Sequence, residues 1–308
     1  MKKYYFLIFF VLLLMIAGCK TDQDTDKKGT FLGGSEGVTV EFVNLAPPSQ
    51  FNQDEDVRLR VLLKNKGEAR VATGYTKVRI FGVQVSDFGL TSAYKSNLGP
   101  LEAAGEFTKE GGEQEIDFGT IRYKPEIINQ ADFTLRTRLC YPYQTKVLTD
   151  VCIKSLIGEE ADEGVCDLAG EKLASGDVSS APIQVTSLTQ QTRGSDQVRI
   201  DIVIENKGPG DVFLIDETCE NLDNDVKRLN AKNKVKVKVN SPVDVKCSFR
   251  TGEPSNQGVV VLDDNTKKET LSCWKDVEET IVDKLSLELS YLYRDQAIKE
   301  VTIFQGRS

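Results

Sequence analysis

The chain has 308 residues, of which 40% are hydrophobic, 28% charged and 8% aromatic, with a net charge of −8. This is globular composition with room for about two domains. It contains no histidine, which excludes Ser-His-Asp triads, Cys-His dyads and histidine-ligated zinc, and its acidity argues against nucleic acid and against adsorption to anionic lipid.

Lys2 and Lys3 precede an apolar run, Tyr4–Ile16, which closes on Ile16-Ala17-Gly18-Cys19. A short basic segment, an apolar stretch and small residues before a cut describe a secretory signal. The ending resembles a lipobox, the lipoprotein signal whose cysteine is diacylated and becomes the new N-terminus. That resemblance implies a signal peptide over residues 1–18, lipid attachment at Cys19, and a body held outside the cytoplasm at a membrane, where two acyl chains anchor stably. Residues 19–37 are polar and glycine-rich and read as a flexible tether. The acidic run Asp22–Asp26 lacks the spacing and glycine of a calcium loop and reads as a solvated segment.

The body begins with Val38–Leu45, where Val38, Val40 and Phe42 alternate as in a strand. Val57–Leu63 alternates strictly, with Arg58 and Arg60 on the polar face, and ends in Asn65-Lys66-Gly67, where Asn and Gly tolerate the positive φ of a sharp turn. Lys77–Val85, Gln114–Phe118 and Phe133–Tyr141 follow as strands. Arg138–Ile153 then reads as a hairpin turning near Lys146, with Cys140 opposite Cys152. Residues 158–180 are acidic and rich in small residues, and form the linker.

The chain then repeats itself. Val198–Gly208, VRIDIVIENKG, matches Val57–Gly67, VRLRVLLKNKG, in both identity and apolar phase. Glu288–Ile303, ELSYLYRDQAIKEVTI, matches Arg138–Ile153, RLCYPYQTKVLTDVCI, with Leu139/Leu289, Tyr141/Tyr291, Tyr143/Tyr293, Val151/Val301 and Ile153/Ile303 identical. Between these landmarks lie a short helix within Glu217–Leu229 and Lys234–Val239, a strand with a lysine face that reads as solvated or as a protected edge. Val259–Leu262 and Thr270–Trp274 are further strands, and Trp274, the one tryptophan, packs in or near the core. Short strands at turn-bounded spacing, without a sustained helical period, indicate an all-β fold of two tandem β-sandwich domains, residues 38–157 and 181–306.

There are seven cysteines. With Cys19 lipidated, six remain, an even number that fits three disulfides in an exported protein. The second hairpin has Ser290 and Thr302 where the first has Cys140 and Cys152, a joint absence that pairs Cys140 with Cys152. Cys247 and Cys273 share strand faces with apolar residues and pair across the second core. Cys166 and Cys219, both in polar loops, are left to each other.

VRLRVLLKNKGEA and VRIDIVIENKGPGD resemble the central strand of CARDB-type immunoglobulin-like domains, which occur in tandem in bacterial and archaeal surface proteins. With the lipobox and the Cys-Tyr-Pro-Tyr segment, the whole pattern is similar to archaeal surface proteins. The resemblance implies adhesion or protein contact and carries no catalytic residue. The expectation is a lipid-anchored binding, adhesion or assembly module with a protein or glycan partner, without cofactor, metal or nucleic acid. A structural subunit of a larger envelope complex is the second reading, and an extracellular carboxylate-dependent enzyme the third.

Overall fold

The computed structural model describes residues 29–154, 165–194, 196–250 and 252–306. The signal segment, Cys19, the acidic run at Asp22–Asp26 and the start of the linker, residues 158–164, lie outside the described residues. The first repeat supplies β1 (Val38–Phe42), β2 (Gln50–Asn52), β3 (Val57–Asn65), β4 (Lys77–Phe81), β5 (Tyr94–Lys95), β6 (Glu113–Ile121) and β7 (Gln130–Ile153). The second supplies β8 (Ile183–Arg193), β9 (Gln197–Asn206), β10 (Asp211–Leu214), helix α1 (Asp225–Ala231), β11 (Lys234–Ser241), β12 (Lys246–Cys247), β13 (Gln257–Val261), β14 (Lys268–Asp276) and β15 (Ile281–Phe304). The protein is all-β and sandwich-like, with several largely antiparallel sheets.

Alternation decides which face of each strand is buried. In β3, Val57, Leu59, Val61 and Leu63 face inward, while Arg58 and Arg60 reach across to Asp117 and Glu115 on β6. In β9, Val198, Ile200, Ile202 and Ile204 repeat the pattern. β3 lies between β1 and β6 in one small sheet, and β9 lies between β8 and β14 in another, with β12 at its edge. Both small sheets pack on one large sheet, ordered β13-β11-β15-β7-β4-β5.

The large sheet is where the structure departs from expectation. Arg138–Ile153 is not a hairpin. It is the last 16 residues of β7, a single strand of 24 residues, and β15 is its match in length. The two run antiparallel along their whole length, from Gln130↔Phe304 to Ile153↔Ile281. The copies therefore pair with each other instead of each folding back on itself. Sequence equivalence relates Tyr141 to Tyr291 and Tyr143 to Tyr293, and the register pairs Tyr141 with Tyr293 and Tyr143 with Tyr291. Pro142 is both the equivalent of Leu292 and its cross-strand partner. A pseudo-two-fold axis thus passes between Pro142 and Leu292.

Each long strand serves both halves of the molecule. The first half of β7 pairs with β4. Its second half reaches the other repeat, where Thr145 Oγ1 donates to Ile183 O at 2.5 Å and Gln190 exchanges two 2.9 Å bonds with the backbone of Cys152. The end of β15 crosses the other way and pairs in parallel with β2 at Gln50–Asn52. One continuous apolar core joins the two repeats, from Val38 and Leu59 through Tyr141 and Tyr291 to Ile200 and Cys273. The sandwiches are consequently not assembled from separate stretches of chain.

The flanking segments are also tied down. Glu68 accepts from the amides of Leu32, Gly33 and Ser180 at 2.7–3.1 Å, so the described end of the expected tether is pinned to the body. In the linker, Val178 bridges to Val147. The lysine strand β11 lies between β13 and β15. It is an interior strand whose lysines face solvent, not a protected edge.

Candidate functional site: a groove across the pseudo-dyad

Four tyrosines sit at the pseudo-dyad, and their hydroxyls fasten the repeated turns. Tyr143 Oη donates to Asn65 Oδ1 at 2.8 Å and accepts from the Ala69 amide at 3.3 Å. In the second repeat Tyr293 Oη lies 3.4 Å from Asn206 Oδ1 and accepts from the Gly210 amide at 2.7 Å. Each asparagine closes its turn by donating from Nδ2 at 2.8 Å, Asn65 to Ala69 O and Asn206 to Gly210 O. Tyr141 and Tyr291 accept from the amides of Val38 and Ile183, where the first strand of each small sheet begins. Burial pushes all four phenols up from the ordinary tyrosine range. The glycines of the Asn-Lys-Gly motif do not occupy the left-handed region as expected. They are needed because a Cβ at Gly67 would overlap the Tyr143 hydroxyl, and one at Gly208 the Tyr293 hydroxyl.

The disulfides follow from the same geometry. Cys140 and Cys152 stand twelve residues apart on one strand, about 40 Å at the rise of an extended chain, and a disulfide needs Cα atoms within about 7 Å. The expected Cys140–Cys152 and Cys166–Cys219 pairs are therefore replaced by Cys140–Cys219 and Cys152–Cys166. Cys247 and Cys273 are bonded to each other, fully buried on adjacent strands β12 and β14. Trp274, next in sequence, is half-buried, with the Arg193 guanidinium 4.4 Å above its ring.

Cys140–Cys219 holds an excursion of the second repeat, residues 215–231, over the outer face of the large sheet. Phe213, Leu222, Ala231 and Leu292 gather around Cys140 in a small second core. Asn224 caps α1 by accepting from the Lys227 amide at 3.1 Å. The excursion delivers Asp223 to a row of arginines. Arg79 and Arg138 are direct cross-strand partners, a like-charge juxtaposition that costs energy unless compensated. Asp223 compensates it, at 2.9 Å from Arg79 and 3.6 Å from Arg138, and also accepts from the Tyr94 hydroxyl at 2.5 Å. Burial lowers the Arg138 and Arg294 guanidinium pKa values, and neighbouring arginines lower them further.

Between this excursion and the loop after β3 runs an open groove. Its first section, about 570 Å³, lies between Ala69–Ala72 of the first repeat and the outer edge of β7 at Pro142–Gln144. Its second, about 460 Å³, continues past Tyr75, Pro142 and Ile215 to Cys219 and Leu292. A third, about 520 Å³, shares Lys77 and Glu220 with the second and ends at Tyr94 and Asp223. Both repeats contribute walls, and the dyad strands form the floor. The lining is mixed, with apolar and amphipathic side chains beside a few paired charges such as Arg70–Glu102 and Lys77–Glu220. Such a surface can hold an extended ligand. Sequence reasoning missed the groove because its walls come from distant stretches brought together by the dyad. The second repeat is nine residues longer between Gly208 and Glu288 (80 positions) than the first between Gly67 and Arg138 (71 positions), and that insertion is its one visible trace.

No family model matches the chain, and no curated protein matches it. Among solved structures, a collagen adhesin (CNA) from S. aureus is aligned over 91% of this chain and 95% of that chain at 8% identity, with a TM-score of 0.10. A likeness of that size carries no structural argument.

Proposed function

We propose that this protein is a lipid-anchored, extracytoplasmic binding module of immunoglobulin-like character that engages a protein or glycan partner and has no catalytic activity. The observation that carries the reading is the groove over the pseudo-dyad, a long, open, mixed-polarity surface built jointly by both repeats. Three disulfides in one chain belong with an oxidising compartment. The lipobox-like Ile16-Ala17-Gly18-Cys19 supports attachment to the membrane through Cys19. Crosslinking mass spectrometry on native cells tests the reading: crosslinks from groove residues to an external partner are expected. A complex of fixed stoichiometry buried in the envelope supports a structural subunit instead. For the anchor, Cys19→Ala should release the protein from membranes and abolish its acyl mass; unchanged partitioning and mass would overturn that part.

A further inference from the structure

The two repeats differ most where they meet. In the second repeat, β10 pairs with β15, placing Asp211 opposite Arg294 and Phe213 opposite Leu292. By repeat equivalence, Ala69–Ala72 should pair in the same way with β7 beside Pro142 and Gln144. It does not. Val71 bonds outward to Leu101 at 2.9 and 3.0 Å, as Val212 O accepts outward from Asn233 N at 2.9 Å, so the outer contact is kept in both repeats and only the pairing with the long strand is lost in the first. The sequence explains the difference. Pro142 stands in place of Leu292 and has no N–H to donate, while Ala72 stands in place of Phe213 and offers no ring to anchor the strand.

The consequence is an interrupted ladder. The outer edge of β7 is paired with β4 as far as Lys77↔Cys140. Pairing resumes at Lys146, whose backbone oxygen accepts from Ser179 at 2.9 Å, and Leu148 N donates to Asp177 O. Among the described residues, no strand pairs with the edge between them. Because the amides of Lys146 and Leu148 point outward, alternation points those of the other even-numbered residues outward too. Gln144 N–H, Gln144 C=O and Pro142 C=O therefore face the 570 Å³ section of the groove.

We propose that this edge is a strand-acceptor site, taking an extended peptide segment with an apolar or aromatic residue from a protein partner. The inference rests on the binding function proposed above and names its ligand chemistry. The guest continues the ladder already made on this edge by β4 and residues 177–179. It runs antiparallel to β7, as β10 does to β15, and exchanges two backbone bonds with Gln144. A third donor reaches Pro142 C=O. The side chain in the place of Phe213 lies against Pro142, Ile215 and Tyr75. A glycan offers no alternating N–H and C=O to such an edge, so the peptide is favoured.

The test uses the full chain in detergent and a fluorescent N-acetylated, C-amidated peptide of sequence Gly-Asp-Val-Phe-Leu-Ile-Asp, copied from Gly210–Asp216. Anisotropy should show saturable binding, and hydrogen exchange should slow across residues 141–146. Gln144→Pro removes the remaining edge donor without touching the β15 ladder. The double variant Pro142→Leu/Ala72→Phe lets the protein's own strand close the gap. Each should weaken binding at least about 10-fold, or 1.4 kcal/mol, with the melting temperature retained. Should either variant fail to fold, the peptide N-methylated at its first aspartate, the residue facing Gln144, decides on wild-type protein and should bind at least about 10-fold more weakly. No binding by wild type, or equal binding of the N-methylated peptide, overturns the proposal. If native-cell crosslinks to a partner survive Gln144→Pro, the binding function stands and this edge is not its site. Loss of peptide binding and of all partner crosslinks in wild type removes both.

Discussion

Residues 29–154 alone should not form a stable monomer, although they contain every strand of the first repeat. In the intact chain the end of β15 supplies Val301 and Ile303, which are 2% and 0% exposed, to the half of the molecule built around β3. The second half of β7, with Val147, Val151 and Ile153 each 1% exposed, is buried toward the other repeat. Truncation thus removes two core side chains and uncovers three. At about 1.5–3 kcal/mol for each fully buried aliphatic side chain, the combined loss is about 8–15 kcal/mol. That matches the whole stability of an ordinary domain, about 5–15 kcal/mol. Two copies can restore it by pairing β7 with β7 about Pro142, in the register Tyr141↔Tyr143 that the pseudo-dyad defines, because Val151 and Ile153 are the equivalents of Val301 and Ile303. Light scattering and circular dichroism under oxidising conditions should find this fragment either unfolded or dimeric, with a melting temperature that rises with concentration. A monomer with a cooperative, concentration-independent melt would refute the reasoning.

Tyr143→Phe removes the hydroxyl that donates to the buried Asn65 Oδ1 and accepts from the part-buried Ala69 amide and should cost about 1–3 kcal/mol, read as a fall of roughly 2–10 °C in melting temperature; no change would mean that both groups find other partners. The four dyad tyrosines have folded-state pKa values above their unfolded ones. Their contribution is therefore complete below about pH 10 and is lost as the pH rises further, because the unfolded chain releases protons that the folded one keeps. Absorbance at alkaline pH should show these four ionising only with unfolding, in a single steep step; smooth ionisation of these four at an ordinary tyrosine pKa in folded protein would contradict their burial. Cys140–Cys219 spans 79 residues and Cys152–Cys166 spans 14, so in the chain-entropy model they contribute about 4.5 and about 3 kcal/mol. Replacing the first pair with alanine should lower the melting temperature more than replacing the second. Peptide mapping of the non-reduced protein comes first, and a Cys140–Cys152 peptide would refute the pairing.

Much of the interior was legible from alternation alone. Val57, Leu59, Val61 and Leu63 and their counterparts Val198, Ile200, Ile202 and Ile204 were assigned to buried faces, and all eight are buried. Period two says which way a side chain points, but not whether the chain turns back. Arg138–Ile153 alternates equally well as a hairpin or as part of a long strand, and the polar Gln144–Lys146 resembles a turn because it crosses the groove floor. The cysteines misled for a related reason. Ser290 and Thr302 replace Cys140 and Cys152 together, yet each absence has its own cause. Cys219 lies in the excursion of the second repeat, and Cys166 in the linker between the two repeats. A correlated loss between repeats therefore reports two missing partners, not one missing bond.

The same comparison locates where the chain has stopped being symmetric. The tyrosine–asparagine clasp is kept in both copies, down to Nδ2 bonds of 2.8 Å in each turn, because in both halves it holds the turn after the central strand of the small sheet against the long ribbon. At the axis itself the copies diverge. Leu292 is enclosed with Phe213 under the excursion, whereas Pro142 lines open space on the other side of the same axis. A symmetric pair of repeats would present either two such grooves or none. Closing one side with Phe213, α1 and Cys140–Cys219 while interrupting the other with Pro142 and Ala72 leaves a single groove with a wall from each repeat. If the excursion only filled a void, shortening it would cost stability and leave ligand binding alone. If it forms a wall, deleting residues 220–231 in a Cys140→Ala/Cys219→Ala background should weaken binding of the Gly210–Asp216 peptide beyond what the cysteine change does by itself, and equal binding in the two proteins would assign the excursion a packing role alone.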